Sequence, residues 1–419
     1  MQDKASFVQS IRADVKSAAF MLSQAEDGQV TSVLNDLAFA LEGARENIIA
    51  QNKIDLEGAS KKNLSPAMID RLTLTSGRIQ AMAQSVRDIC LLENPCSKIL
   101  EEWTRPNGLK IQKVSVPIGV LGMIYESRPN VTIDAAALAI KSRNVIILRG
   151  GSESYHSASF LHGLVQHCLE KNHLPKECVI MAPGTDRSMV DDMLAASDVI
   201  DVMIPRGGKG LTSKVMSEAK MPVFAHLDGN CHVYVHSSAK PDMALSIIKN
   251  SKLRRTGICG AAESLLFDED VNEGIARDIV KMLVDEGVEI VGDALAQRLN
   301  ASIKPATEED WSSEYLDKKI SLKYVTNVGD AAAHINRYGS HHTDCILCED
   351  KDVADYFLNT VDSAIVMHNT STQFADGGEF GFGAEIGIGT GKLHARGPVG
   401  LKQLCTFKYK VLGDGQTRP

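Results

Sequence analysis

The sequence predicts an α/β protein with two domains in series. Three observations carry this: short apolar runs alternate with helical stretches from about residue 109 onward, those runs are apolar throughout rather than at every second residue, and 419 residues suffice for two or three domains. Strands that are apolar on both faces belong to parallel sheets covered by helices on both sides. The first hundred residues read as helices: Phe7, Ile11, Val15 and Ala18 share one face, as do Val30, Val33, Leu34, Leu37 and Leu41. Ser65 before Pro66 supplies an N-cap and a proline at the first helical position, starting a helix through Met68, Ile69 and Leu72. Leu109, Ile111, Val114 and Val116 suggest a ribbon, and 118–125 reads as a strand. Strands are then expected at 145–148, 179–182, 199–204, 222–227 and 233–235, and again at 264–267, 288–291, 323–325, 346–347 and 364–367.

Lys and Arg number 45 against 53 Asp and Glu, a net charge of −8, which excludes a general binder of nucleic acid or of anionic membranes. Hydrophobic residues at 44 % and charged residues at 23 % describe a folded chain with a large core. No apolar run approaches the roughly 20 residues of a membrane span. Met1-Gln2-Asp3-Lys4 opens no secretory signal, so the expected location is cytoplasmic. Nine cysteines, an odd number scattered without a secretion signal, are expected to be reduced and mostly buried, with one as a possible nucleophile.

Four segments could carry chemistry. Pro205-Arg206-Gly207-Gly208-Lys209-Gly210 joins an apolar run to a helical stretch, and such a glycine turn lets backbone N–H groups and a helix terminus approach a pyrophosphate. The same glycines also suit a tight turn with no ligand. Arg149, in Leu148-Arg149-Gly150-Gly151-Ser152, stands at the carboxyl end of a strand, where α/β sheets bind ligands. A cation there with no acid just after it suits a 2′-phosphate, so NADP(H) fits better than NAD(H); a solvated strand-end charge is the plainer alternative. Cys259 lies in a loop of small residues, Gly257-Ile258-Cys259-Gly260-Ala261-Ala262, after Lys252, Arg254 and Arg255, a setting that keeps a thiol accessible and favours its thiolate. Segment 377–389 is too glycine-rich for an ordinary helix or strand, so its backbone must pass close to a ligand or to another chain. Cys345 and Cys348 have C-x-x-C spacing inside a strand, which points them to opposite faces. His341-His342 has only Asp344 nearby and reads as a loop pair, so no metal site is expected.

Several of these stretches together resemble one family. They are Val116-Pro117-Ile118-Gly119-Val120, Ile124-Tyr125-Glu126-Ser127-Arg128-Pro129-Asn130-Val131-Thr132, the run 144–151, the cysteine loop, Gly339-Ser340-His341-His342-Thr343-Asp344 and Lys392-Leu393-His394-Ala395-Arg396-Gly397-Pro398. Over essentially its whole length the chain resembles the γ-glutamyl phosphate reductases of the aldehyde dehydrogenase superfamily. The resemblance implies a Rossmann-like NADP(H) domain (1–99 and 115–227, with part of 370–395), a catalytic α/β domain (228–369) and a small β oligomerisation ribbon (100–114 and 396–419). It implies reduction of L-glutamate 5-phosphate by NADPH to L-glutamate 5-semialdehyde with release of phosphate, on the route to proline.

In that scheme Cys259 is the nucleophile, and its backbone N–H and Asn130 are candidate oxyanion donors. Gly207, Gly208 and Gly210 take the pyrophosphate, Arg149 and Ser152 the 2′-phosphate, and Glu314 falls where the family holds the nicotinamide ribose. Arg128, Lys252 and Arg255, with Asn369, Ser371 and Thr372, are candidates for the substrate's anionic groups. The ribbon implies a homo-oligomer, dimer or tetramer, and the lability of the acyl phosphate makes glutamate 5-kinase, which forms it, a candidate partner. Where some members carry Arg-Pro and Cys-Asn, this chain has Arg255-Thr256 and Cys259-Gly260, which leaves the nucleophile in place. Where hydrolytic relatives carry the water-activating glutamate of Glu-Leu-Gly-Gly, it has His226-Leu227-Asp228-Gly229. An acyl-phosphate reductase discharges its thioester by hydride, so a water-activating base would waste it. The rival readings are a hydrolytic aldehyde dehydrogenase and a non-catalytic nucleotide-binding scaffold.

Overall fold

The computed structural model describes residues 6–418, and its first unit runs to Ala225, taking in Gly381–Gly387 and the chain from Val399 onward. Apolar spacing sets its helices. Arg12–Ser23 buries Val15, Ala18 and Leu22, and Asp27–Gly43 buries Val30, Val33, Leu34, Leu37 and Leu41. The expected continuous face through Phe7 and Ile11 is broken, because one helix ends at Ser10 and the next starts at Arg12, and Val8 takes the core place. Ser65 Oγ accepts from the Met68 N–H at 3.3 Å, with Pro66 opening the helix.

Strand β1 (Ile99–Thr104) pairs antiparallel with β2 (Lys110–Pro117). Strands β3 (Val120–Tyr125), β4 (Val145–Gly150), β5 (Val179–Met181) and β6 (Val202–Arg206) form a parallel sheet in the order β5-β4-β3-β6. The chain moves outward from β3 to β5, then crosses to β6 on the other side of β3. That reversal sets the loops after β3 and β6 side by side, the place where open α/β sheets take ligands. The strand expected at 222–227 does not form. It touches β6 through a single bridge, Met203 to Val223, and Pro222 has no N–H to extend the ladder.

The second unit holds His226–Phe380 and Ile388–Pro398. Strands β7 (Cys231–Val235), β8 (Ala262–Asp268), β9 (Glu289–Gly292), β10 (Lys304–Pro305), β11 (Lys319–Val325), β12 (Thr343–Leu347) and β13 (Ile365–His368) make one parallel sheet, in the order β10-β9-β11-β8-β7-β12-β13. Side chains alternate between two buried layers. Val233, Val235, Leu265, Phe267, Cys345 and Leu347 enter one core, while Tyr234, Leu266, Ile346 and Cys348 enter the other. Each such aliphatic side chain contributes about 1.5–3 kcal/mol by leaving water. Cys345 and Cys348 thus lie on opposite faces, as their strand spacing requires.

A short antiparallel pair, β14 (Ile388–Gly389) and β15 (Gly397–Pro398), belongs to the second unit. Strand β16 (Cys405–Leu412) returns to β2, completing the three-stranded ribbon β1-β2-β16. The units part at Ala225/His226, two residues before the expected boundary, and the ribbon's last strand starts only at Cys405, because Leu401 and Leu404 are buried in the first unit. Residues 377–381 form a turn and 382–387 run irregularly to β14, with Gly383 in the left-handed region (φ +75°) that favours glycine and a Cβ there 3.0 Å from the Leu92 side chain. Among the described residues no helix is long and apolar enough to cross a membrane.

Candidate active site

Strand order decides which loops meet in the second unit. Cys231 on β7 pairs with Ala262 on β8, and His232 pairs with Asp344 on β12. These strands are parallel, so the residues just before them, 226–230, 257–261 and 339–342, gather at one end of the sheet. Gly229 packs directly on the cysteine loop: a Cβ there would lie 2.1 Å from the Cys259 carbonyl oxygen and 2.7 Å from its Cα. The Gly229 N–H donates to Glu314 Oε1 at 2.8 Å, which brings Glu314 to the same place.

Cys259 is half-buried, whereas the other eight cysteines are buried. Burial pushes the Cys178 and Cys345 thiols up to about 12 and raises Cys231 as well, which keeps them protonated and inert. Cys231 donates its S–H to the Cys259 carbonyl at 3.1 Å. Two imidazoles stand beside the half-buried sulfur: ligating atoms of His226, Cys259 and His342 all lie within 4.8 Å of one another, and the two rings are 5.0 Å apart at 73°. His226 Nδ1 is 3.0 Å from the Ile388 carbonyl; donating its proton there leaves Nε2 with a free lone pair.

His341 and His342 both precede β12 in the expected loop, but their surroundings differ. His341 does sit in a loop (φ +58°), its Nδ1 2.6 Å from the Asp362 carbonyl, but His342 is wholly buried beside Cys259. Asp344 locks this end of the sheet by accepting from the His232 N–H at 2.8 Å and Nδ1 at 2.9 Å. The 392–398 motif is pinned by Lys392 and Arg396, both on Asp362, whose carboxyl they hold down at about 2.

Several expected substrate ligands serve the fold instead. Lys252 is wholly buried, its ammonium 2.6 Å from the equally buried Glu263. Burial lowers the Lys252 pKa and raises that of Glu263 to about 7, while their mutual attraction opposes both shifts. Removing one partner strands a buried charge, so Lys252→Met should cost about 3–5 kcal/mol, and Lys252→Met with Glu263→Leu should recover most of it. Thermal unfolding midpoints measure both; a single variant as stable as the parent would refute this role.

Asn369 gives both ends of its amide to Cys348, accepting from its N–H at 2.9 Å and donating to its carbonyl at 2.8 Å. Ser371 is buried, within 3.2 Å of Ser251 Oγ. Thr372 is different: its carbonyl abuts Gly260, and its buried Oγ1 has no partner. Arg255 is exposed in the cysteine loop.

In the first unit, Gly207 and Gly208 form an exposed turn leading into helix Lys209–Glu218, and Gly210 lies exposed in that helix's first turn. The loops after β3 and β6 meet there: Glu126 N–H donates to the Arg206 carbonyl and Gly208 N–H to Glu126 Oε2, each at 2.9 Å. Arg128 and Asn130 line one cleft with Asp134, Arg206 and Glu385, and Asn130 Nδ2 donates to Asp134 at 3.0 Å. Arg149 does not suit a 2′-phosphate. It is buried, and its guanidinium donates to the carbonyls of Gly150 at 2.7 Å and Thr185 at 3.0 Å, tying β4 to a neighbouring loop. Ser152 is exposed, and the acid that follows it, Glu153, accepts from the Ser127 N–H at 2.6 Å.

Residues 17–324 match the aldehyde dehydrogenase family. A gamma-glutamyl phosphate reductase of Paramagnetospirillum magneticum is 52 % identical over 404 residues, 96 % of each chain. One from Brucella suis is 50 % identical over 418 residues, covering 100 % of this chain and 99 % of the relative. The crystal structure of gamma-glutamyl phosphate reductase from Thermotoga maritima matches with a TM-score of 0.96 at 39 % identity, over 98 % of this chain and 100 % of that one. An acetylating aldehyde dehydrogenase from Geobacillus thermoglucosidasius, 17 % identical with a TM-score of 0.70 over 98 % of this chain and 97 % of that one, shares the fold. With a half-buried cysteine at the head of a parallel sheet and a glycine turn on a Rossmann-like one, the chain belongs to the aldehyde dehydrogenase family, among its γ-glutamyl phosphate reductases.

Proposed function

We propose that the protein reduces L-glutamate 5-phosphate to L-glutamate 5-semialdehyde and phosphate, a step toward proline, with NADPH as reductant. The observation that carries this is the Cys259 thiol, the one cysteine of nine that is half-buried while the other eight are buried. Its thiolate attacks the 5-acyl carbon, the C–O bond to phosphate breaks, and an acyl thioester remains on Cys259. The Cys259 backbone N–H is the proposed oxyanion donor; loss of such a donor slows turnover roughly 10²–10³-fold. After reduction, the hemithioacetal collapses to aldehyde and free thiolate.

The first unit fits a dinucleotide. Its glycine turn is exposed at the strand reversal, and the Gly208 N–H already holds a carboxylate oxygen, the kind of acceptor a pyrophosphate oxygen replaces. A reduced nicotinamide cofactor, when bound, supplies the hydride. With Arg149 spent on backbone, Ser152 is the nearer candidate for the 2′-phosphate, and Glu314 for the ribose.

Ribbon side chains Trp103, Phe407, Tyr409, Val411 and Leu412 are exposed, an apolar surface that supports a homo-oligomer. The setting would be cytoplasmic, with glutamate 5-kinase supplying the labile acyl phosphate.

The reverse reaction tests this reading. Protein with L-glutamate 5-semialdehyde and NADP⁺ should form NADPH only when inorganic phosphate is added, and faster than NADH forms from NAD⁺. Phosphate-independent reduction would replace it with a hydrolytic dehydrogenase.

A further inference from the structure

The His226, Cys259 and His342 cluster has the composition of a soft-metal site, and we propose that it binds one Zn²⁺ per chain, with Co²⁺ and Cd²⁺ as substitutes. The site stands on geometry; its consequence, reversible arrest of the enzyme, rests on the reading of Cys259 as nucleophile. All three ligating atoms lie within 4.8 Å of one another. Zinc bonds of about 2.0–2.3 Å place tetrahedral ligand atoms roughly 3.3–3.8 Å apart, so closure needs shifts of about 1 Å. The half-buried His226 and Cys259 side chains can supply these by rotation.

The surroundings orient both imidazoles. His226 Nδ1 faces the Ile388 carbonyl at 3.0 Å, the outer partner that fixes a ligating imidazole with Nε2 toward the metal. His342 Nδ1 lies 2.9 Å from Thr343 Oγ1, which holds the second ring. Two neutral imidazoles and one thiolate suit zinc, cobalt or cadmium better than magnesium or calcium. Cys231, 3.8 Å from His342 Nδ1, does not complete the set, because its S–H donates to the Cys259 carbonyl at 3.1 Å. Asp344 is held by His232 and Ser363. Three protein ligands therefore leave a fourth position for water. Binding forms one S–Zn and two N–Zn bonds, the thiol proton passes to solvent, and no electrons move. A sulfur capped in this way cannot attack an acyl carbon.

The test uses the full chain, stripped of metal by a chelator and titrated with Co²⁺. One Co²⁺ per chain should bind, with thiolate-to-cobalt charge-transfer absorption and the intense visible bands of four-coordination, and one equivalent of Zn²⁺ should displace it. His226→Gln should weaken binding by more than the roughly 10–100-fold that losing an outer partner costs. Cys259→Ser should abolish the charge-transfer band, and His341→Gln, next to the cluster but outside it, should keep both. Because His342 is wholly buried and its variants can misfold, the half-buried His226 carries the test, with circular dichroism showing that the variant is folded. Failure to bind one Co²⁺, absence of the charge-transfer band, or equal affinity in His226→Gln overturns the site. Zn²⁺ inhibition reversed by chelator supports the consequence. A protein that binds Co²⁺ with these bands but reduces no acyl phosphate keeps the site and refutes the reductase reading instead.

Discussion

Cys259→Ala is expected to lower reductase turnover by about 10⁵–10⁶-fold, the order lost when the covalent nucleophile of an acyl-transfer enzyme is removed. Nothing else in the second unit can take its place. The nearest other thiol, Cys231, is buried, raised in pKa and committed to the Cys259 carbonyl. Stability should barely change, because Cys259 is half-buried and alanine leaves no polar group unpaired. The measurement is single-turnover release of phosphate, alongside the unfolding midpoint. A variant within tenfold of the parent's rate would end the covalent mechanism.

Gly229→Ala is expected to cost at least about 10²-fold in turnover, since a displacement of 1 Å at a reacting group has that effect. The added Cβ would fall 2.1 Å from the Cys259 carbonyl oxygen and 2.7 Å from its Cα, and these are backbone atoms that no side-chain rotation can clear. The cysteine loop must move, and with it the Gly229 hydrogen bond to Glu314. Gly257→Ala, two residues before the nucleophile, has no atom within 4 Å of the new Cβ and should spare the loop. Comparing kcat and the alkylation rate of Cys259 in the two variants separates a displaced thiol from the loss of a glycine. Equal rates in both would show that the loop yields without cost.

Local pattern accounts for what was legible in the chain. The buried faces at Val15 to Leu22 and at Val30 to Leu41, the Ser65-Pro66 start and the opposite faces of Cys345 and Cys348 all depend on residues a few positions apart. Periodicities of 3.6 and 2.0 are local properties, so a linear sequence displays them. The glycine turn after β6 and the small-residue loop at Cys259 were legible for the same reason: each is defined by its own composition.

Partnership over long sequence separations was not legible. Lys252 and Arg149 read as free cations because nothing near them in sequence shows that Glu263 or the Thr185 carbonyl will claim them. Asn369 read as a donor until Cys348 took both ends of its amide. His342 was discounted for lack of ligands nearby in sequence, yet β12 lies beside β7, and β7 beside β8, which brings it to His226 and Cys259. Periodicity and turn chemistry are written residue by residue, and they specified the α/β class and made Cys259 a candidate nucleophile. Whether a charge is available, and which loops share a site, depends on strand order and burial, which exist only once the sheets have formed.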